Sequence, residues 1–308
     1  MTRPDTLATM VGQQDVRDRL RIAWQGAALR GNPAPHTLLT GPAGYGKTTL
    51  ARIAATELGV PMVASSGATL RRPADACGIA CSLEPGSVWF VDEIHRLPAA
   101  VLETLYEAIE DGSVSVTVGH GSAARALHIE LPPFVFVGAT TNPGALPAPF
   151  RDRMGLTLQL AGYSDAELAQ IVSRVWADVP SDGAAADVVA SRCKSVPRIA
   201  VHLAERVLDV RAVTGAERIT ADVAARALRA FGVADDGLDE GDMRVLDTLV
   251  NLCGGRPVGL RALSQMVDID PEALEEVHEP ALVRAGWITR TPQGRMATPA
   301  AHERMRAL

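Results

Sequence analysis

Thr37-Leu38-Leu39-Thr40 runs directly into Gly41-Pro42-Ala43-Gly44-Tyr45-Gly46-Lys47-Thr48, and Thr49-Leu50-Ala51-Arg52-Ile53-Ala54 follows without a break. The middle stretch satisfies G-x-x-x-x-G-K-[ST] between an apolar strand and a helix-forming run, which is the context the pattern needs. Gly41, Gly44 and Gly46 let the backbone wrap so that successive N–H groups face phosphate oxygens, and the start of the helix at Thr49 adds partial positive charge. Lys47 is placed to neutralise the β and γ phosphates of ATP, and the Thr48 hydroxyl to ligate Mg2+.

Such a loop needs a carboxylate on a neighbouring strand for the metal and a base for the attacking water. Ser87-Val88-Trp89-Phe90-Val91-Asp92-Glu93 offers both. Its four apolar residues predict a buried strand that ends at Asp92, the expected metal carboxylate, with Glu93 next in line to polarise water. Further apolar runs at Val60, Pro133 and Leu156 alternate with helical patterns, so residues 1–163 are expected to form an α/β domain with a parallel sheet and helices on its faces. From Ser164 the pattern is helical only. Ser164 and Glu167 read as a capping box, two more helices are expected near Pro197 to Val213 and Thr220 to Phe231, and residues 164–235 read as a helical subdomain.

Residues 236–308 begin with a helix marked by Met243, Leu246, Leu249 and Val250, then a short one from Leu260 to Val267. A third starts after Asp270-Pro271 and ends at Gly286. The apolar Trp287-Ile288-Thr289 and a turn at Pro292-Gln293-Gly294 complete three helices and a β-hairpin, the outline of a winged helix. Its third helix carries Glu272, Glu275, Glu276 and Glu279, charges that oppose groove reading. Arg290 and Arg295 flank the hairpin turn and are the expected contacts to DNA phosphates, without sequence preference.

Composition sets outer bounds. The 308 residues suggest about two domains or three small ones, and 47% hydrophobic against 21% charged residues suits a folded protein with real cores. A formal charge of −6, from 30 basic and 36 acidic residues, excludes nucleic-acid binding by bulk positive charge. Lys47 and Lys194 are the only lysines, so each invites a reason. Cys77, Cys81, Cys193 and Cys253 are too scattered for a zinc site, and buried thiols are expected. The apolar runs are too short for a membrane helix and Met1–Met10 lacks the apolar centre of a signal peptide, which makes a reducing cytoplasm the expected location.

Asp92-Glu93-Ile94-His95-Arg96-Leu97 and the order of segments around it resemble the AAA+ ATPases, and among them the RuvB family of Holliday junction branch migration motors. The resemblance spans nearly the whole chain. It implies that Arg3 and Pro4, with Val11 and Gly12, pack on the adenine, and that Thr141, in Gly138-Ala139-Thr140-Thr141-Asn142, senses the γ-phosphate. It also implies that Arg153, before Met154-Gly155, is an arginine finger, with Arg151 as its alternative. Pro197 and Arg198 resemble the second sensor, which reaches nucleotide from the helical subdomain. Gly254-Gly255-Arg256-Pro257-Val258-Gly259-Leu260 and Arg290-Thr291-Pro292-Gln293-Gly294-Arg295 are similar to the family's winged helix.

A homohexamer moving double-stranded DNA at Holliday junctions in recombination and repair is the activity that follows, each finger completing a neighbour's site. Alternating residues across 113–130 read as a β-hairpin turning near Gly119-His120-Gly121, which in RuvB-like proteins meets RuvA. Its tip lacks the lysine and proline usual there, Glu110-Asp111-Gly112 lacks an aromatic residue, and Asn142-Pro143 replaces a commoner Arg-Ala. These departures leave the ATPase core intact and leave open a divergent member of the family that works with another adaptor. Alternatives remain a clamp-loader-like ATPase, an ATP-driven remodeller or a nucleotide-gated module acting on a protein, and a winged-helix transcription regulator. The C-terminal winged helix weighs against the first, Glu93 and Arg153 against a module without turnover, and the acidic third helix against the last.

Overall fold

The structure is a computed structural model, and it describes residues 4–118 and 125–307. Arg3 and the expected hairpin tip at Gly119-His120-Gly121 lie outside the described residues. The chain divides into two compact units, Met1–Gly162 and Tyr163–Leu308.

In the first unit helix α1 (Gln14–Leu29) precedes strand β1 (Thr37–Thr40), helix α2 (Lys47–Leu58), β2 (Met62–Ser66), α3 (Pro73–Ala80) and β3 (Val88–Asp92). A 3-10 turn at Ile94–Arg96 leads to α4 (Ala99–Asp111), the antiparallel pair β4 (Ser113–Val118) and β5 (Arg125–Glu130), then β6 (Val135–Thr140), α5 (Ala148–Asp152) and β7 (Leu156–Gln159). Five strands form a parallel sheet in the order β2-β3-β6-β1-β7. Chain order reverses beside β1, and in open α/β sheets ligands bind beyond the carboxyl ends of strands at such a point. Strands β1 and β6 are buried along their length, as are Val88 to Val91 of β3, because helices cover both sheet faces. Trp89 and Phe136 meet edge-on at 6.0 Å, both fully buried, and Phe150 meets Phe136 in the same way at 6.3 Å. Burying such aromatic surface fixes the register in which β3 and β6 end side by side.

The second unit starts with α6 (Asp165–Val175). Its capping box is the one expected, with Glu167 N–H donating to Ser164 Oγ at 3.3 Å and Ser164 N–H donating to the Glu167 carboxylate at 2.8 Å. Helices α7 (Gly183–Ala190), α8 (Pro197–Thr214) and α9 (Ala221–Ala230) follow. Three helices therefore stand where the sequence pattern predicts two, α7 being the addition. Its sequence, Gly-Ala-Ala-Ala-Asp-Val-Val-Ala, has too little polar contrast for a 3.6-residue period to stand out. Trp176, Val207 and Leu228 fill the core of these helices, and the Trp176 indole donates to the Ala204 carbonyl at 3.0 Å.

Next come α10 (Glu240–Asp247), extended by a π turn at Thr248–Leu252, and α11 (Leu260–Val267). Helix α12 (Pro271–Ala273) passes through a π turn at Leu274–His278 into α13 (Glu279–Arg284). Strands β8 (Ile288–Thr291) and β9 (Gly294–Ala297) form the wing, and α14 (Pro299–Arg306), not expected from the sequence, packs Ala301 into the local core. Gly294 is required in the wing, since a Cβ there would stand 2.2 Å from the Val258 carbonyl oxygen. Among the described residues no helix is long and apolar enough to cross a membrane, and the four cysteines are free thiols, Cys77 and Cys193 buried as expected but Cys81 exposed and Cys253 half-buried.

Candidate functional site

The loop after β1 is shaped by Gly41, Gly44 and Gly46, with φ of 140°, 80° and 100°. Residues bearing a Cβ rarely adopt such angles. The Gly41 N–H donates to the Thr140 carbonyl at 3.2 Å, which ties the loop to the end of β6. Lys47 opens α2 with only 7% of its surface exposed, and its Nζ donates to the carbonyls of Gly41 at 2.6 Å and Pro42 at 2.9 Å. The ammonium is thereby held at the loop mouth, while Thr49 lies half-buried in the first turn of α2. This backbone cradle, a helix N-terminus and a placed cation fit a polyphosphate.

The Thr48 hydroxyl meets the Asp92 carboxylate at 3.3 Å across 44 residues of sequence. Two hard oxygen donors at the edge of a phosphate loop suit magnesium. Glu93 follows in the left-handed region, with φ of 50°, and leads from the strand end into the turn at Ile94–Arg96. Its N–H donates to Asp92 Oδ1 at 3.0 Å, and its carboxylate pairs with Arg96 at 3.3 Å. Gly67, after β2, makes this turn possible. Its N–H donates to the Asp92 carbonyl at 2.7 Å, and a Cβ on it would lie 2.2 Å from the Glu93 carbonyl oxygen. No motif in the sequence marks Gly67.

Thr140, the last residue of β6, is fully buried, and its Oγ1 lies 3.0 Å from His95 Nδ1. It also accepts the Asn142 N–H at 3.0 Å, fixing the turn that carries Thr141 past the strand end. Thr141 is half-buried there and has a polar partner of its own. The His95 link joins this strand to the Asp92-Glu93 turn, a connection the sequence does not reveal. Near the chain start, Val11 is buried and Gly12 has φ of 72°. Gln13 bonds both ways to the backbone of Ala161, at 2.6 and 3.1 Å, and so fastens the segment from Pro4 to Gly12 beside the end of β7.

Arg153 ends α5, is 40% exposed, and pairs with Glu110 while its guanidinium lies 5.1 Å from the Tyr106 ring. Arg151 is exposed as well. In the second unit Pro197 occupies the first position of α8 and Arg198 the second, the arrangement that proline's fixed φ favours. Arg198 is exposed, with no ion-pair partner among the described residues.

The wing differs from expectation in one respect. Arg295 is not a free surface charge: its side chain is 15% exposed and donates to the fully buried Glu279 from Nε at 2.5 Å and Nη2 at 3.2 Å. Arg290, 49% exposed, reaches the same carboxylate at 2.6 Å. Glu279 thus lies inside the domain as a counter-ion, so its charge does not face DNA as the sequence suggested, and Arg290 is the more accessible of the two arginines.

Residues 2–160 match the family model described as the Holliday junction DNA helicase RuvB P-loop domain, 163–234 the RuvB AAA lid domain, and 235–306 the RuvB C-terminal winged helix domain. The chain is 42% identical over 306 residues to the Holliday junction branch migration complex subunit RuvB of Thermotoga maritima, covering 99% of this chain and 92% of that one. The protein of the same description from Pseudothermotoga lettingae is 41% identical, covering 98% and 89%. The solved structure of the Thermotoga maritima RuvB Holliday junction branch migration motor superposes with a TM-score of 0.90 at 40% identity, covering 99% and 98% of the two chains.

Proposed function

The chain belongs to the RuvB family of ATP-dependent Holliday junction branch migration motors, and from that membership we propose how its residues divide the work. Residues 1–163 bind and hydrolyse ATP, 164–235 form a lid that responds to nucleotide, and 236–308 touch double-stranded DNA. The observation that carries this reading is the meeting of Thr48 and Asp92 beside the phosphate cradle. It supports one site made of the loop, a metal pair and Glu93.

Lys47 leaves its loop carbonyls to neutralise the β and γ phosphates, and the loop N–H groups orient them. Thr48 and Asp92 hold Mg2+, which when bound offsets charge on the phosphate oxygens. Glu93, released from Arg96, orients the attacking water and takes its proton. Thr141 donates to the γ-phosphate, and Val11, Gly12, Pro4 and Arg3 flank the adenine. Arg153 leaves Glu110 and Tyr106 to complete the site of the next subunit in a homohexamer, so turnover requires assembly. Arg198 carries the presence of the γ-phosphate to the lid.

Arg290 touches DNA phosphates. Arg295 sets the wing on Glu279 and helps to present it. The β4–β5 hairpin exposes Leu127 and Ile129 at 53% and 36%, which supports a RuvA-like adaptor as the partner at 113–130. The cytoplasm is the compartment that offers both DNA and adaptor.

Glu93→Gln is expected to leave ATP binding intact and to cut turnover by roughly 10²–10⁴; undiminished hydrolysis would refute its role. Mixing Arg153→Ala with Lys47→Ala subunits is expected to recover hydrolysis that neither shows alone, because intact loops then meet intact fingers. No recovery would place the finger within one chain.

A further inference from the structure

Lys47 belongs to the phosphate loop, and Lys194, the only other lysine, has no part in the site described above. It lies between α7 and α8, three residues before Pro197 and four before Arg198. Lys194 and Ser195 both adopt left-handed backbone angles, φ of 52° and 61°, a conformation disfavoured for residues with a Cβ. The Arg284 guanidinium donates to the Lys194 carbonyl at 2.8 Å and helps to hold it there.

The Lys194 side chain is 10% exposed. Its Nζ donates to Asp239 Oδ2 at 2.5 Å and to Oδ2 of the fully buried Asp242. These two aspartates cap the start of α10 for each other, Asp242 N–H donating to Asp239 at 2.9 Å and Asp239 N–H to Asp242 at 3.0 Å. The other Asp242 oxygen meets His278 Nδ1 at 2.8 Å. Gly241 is needed for that approach, since a Cβ on it would stand 2.4 Å from the His278 ring. Asp239, Asp242 and His278 converge as metal ligands do, but the cation between the carboxylates is Lys194 itself. Burial pulls the Lys194 pKa down, and the charges of Asp242 and Asp239 more than reverse it, so the net shift is upward and the ammonium stays charged.

The same turn grips the connecting segment a second time. Arg192 donates to the Asp235 carboxylate at 2.8 Å and to its carbonyl at 3.3 Å, and a Cβ on Gly237 would come within 3.1 Å of the Arg192 backbone. A segment joining two domains is free to bend unless contacts cross it. Here an ion network anchored on the buried Asp242 crosses it at the turn that leads into α8.

We propose that Lys194 is a positioning residue for the motor: clamped between Asp239 and Asp242, it fixes residues 235–242 to the turn that leads into α8 and its Arg198, so the lid and the winged helix turn together when the lid responds to nucleotide. The inference rests on the motor reading and on the role given to Arg198. Without the clamp, nucleotide would still be hydrolysed, but the lid's motion would be lost in the linker.

The test uses the full chain as wild type, Lys194→Met, Asp239→Asn and the double variant. Amide hydrogen exchange of 235–242 is measured with and without a non-hydrolysable ATP analogue, alongside ATP hydrolysis and ATP consumed per four-way junction moved. In Lys194→Met the linker amides are expected to exchange about tenfold faster or more, while hydrolysis without DNA stays within about twofold of wild type. ATP consumed per junction rises several-fold, and Asp239→Asn adds little on top, as partners in one network should. Unchanged linker exchange, or faster exchange with unchanged ATP per junction, overturns the proposal. If wild-type protein hydrolyses ATP but moves no junction, the motor reading fails by itself. The clamp is then decided by whether the analogue's effect on exchange spreads from 197–200 to 240–247 in wild type and stops at the linker in Lys194→Met.

Discussion

Replacing Arg295 and Arg290 by alanine, one at a time, separates the two roles that the wing geometry assigns. Glu279 is fully buried and accepts two bonds from Arg295 and one from Arg290. Arg295→Ala leaves that carboxylate with a single, half-exposed partner. Breaking a buried pair costs about 3–5 kcal/mol, and the remaining contact from Arg290 puts this case at the lower end, about 3 kcal/mol. Arg290→Ala leaves the paired bonds from Arg295 in place and removes a contact screened by water, worth about 1 kcal/mol or less. With a urea dependence of about 2 kcal/mol per molar, the midpoint falls by about 1.5 M for Arg295→Ala and by less than about 0.5 M for Arg290→Ala. Unfolding followed by circular dichroism and tryptophan emission reads both values. Duplex binding measured against salt reads the other half: loss of one phosphate contact flattens the slope of log K against log salt by about 0.9. Arg290→Ala is expected to do so, whereas Arg295→Ala, measured where it is folded, loses affinity with little change in slope. Equal stability losses, or a flattened slope with unchanged stability in Arg295→Ala, would refute the division.

Gly67→Ala forces a methyl group against the Glu93 carbonyl; a cost of about 1–3 kcal/mol in stability is expected, with ATP turnover falling further than ATP binding, and wild-type turnover would show that the turn has slack. His36 accepts the Phe136 N–H at 2.9 Å through Nδ1, and burial holds its pKa below the usual 6.5. The unfolded chain therefore takes up the proton first. The neutral imidazole's contribution is present above pH 6.5 and is lost as pH falls through the lowered folded value, at up to about 1.4 kcal/mol per pH unit. Unfolding between pH 7.5 and 5 should show this slope in wild type and lack it in His36→Gln; equal slopes would contradict it. Arg153→Ala should reduce hydrolysis by about 10³-fold or more, with nucleotide affinity little changed; a loss under tenfold would move the finger to Arg151.

The parts legible in the sequence were those whose signal is local. Gly41 to Thr48 carries its pattern within eight residues, and Val88 to Glu93 pairs an apolar strand with two acids at its end. Helix α7 escaped because alanine blurs periodicity, and α14 because Ala301 alone is buried along its eight residues. Gly67 serves Glu93 across 26 positions, through a close approach that leaves no trace in either segment. Glu279 read as one more solvent-facing acid beside Glu275 and Glu276, and only the hairpin folded over it turns it into the counter-ion of two arginines. Lys194 stood out by rarity alone. Its partners lie 45 and 48 residues away, beyond any spacing rule.

Motor function is read most plainly from movement of a synthetic four-way junction by purified protein with ATP and a RuvA-type adaptor, with phosphate release recorded in the same reaction at several salt concentrations. Junction movement is expected to need ATP, hydrolysis to rise with junction DNA and further with the adaptor, and both to be lost in Lys47→Ala. Hydrolysis indifferent to DNA and adaptor, with the junction left in place, would contradict the motor reading.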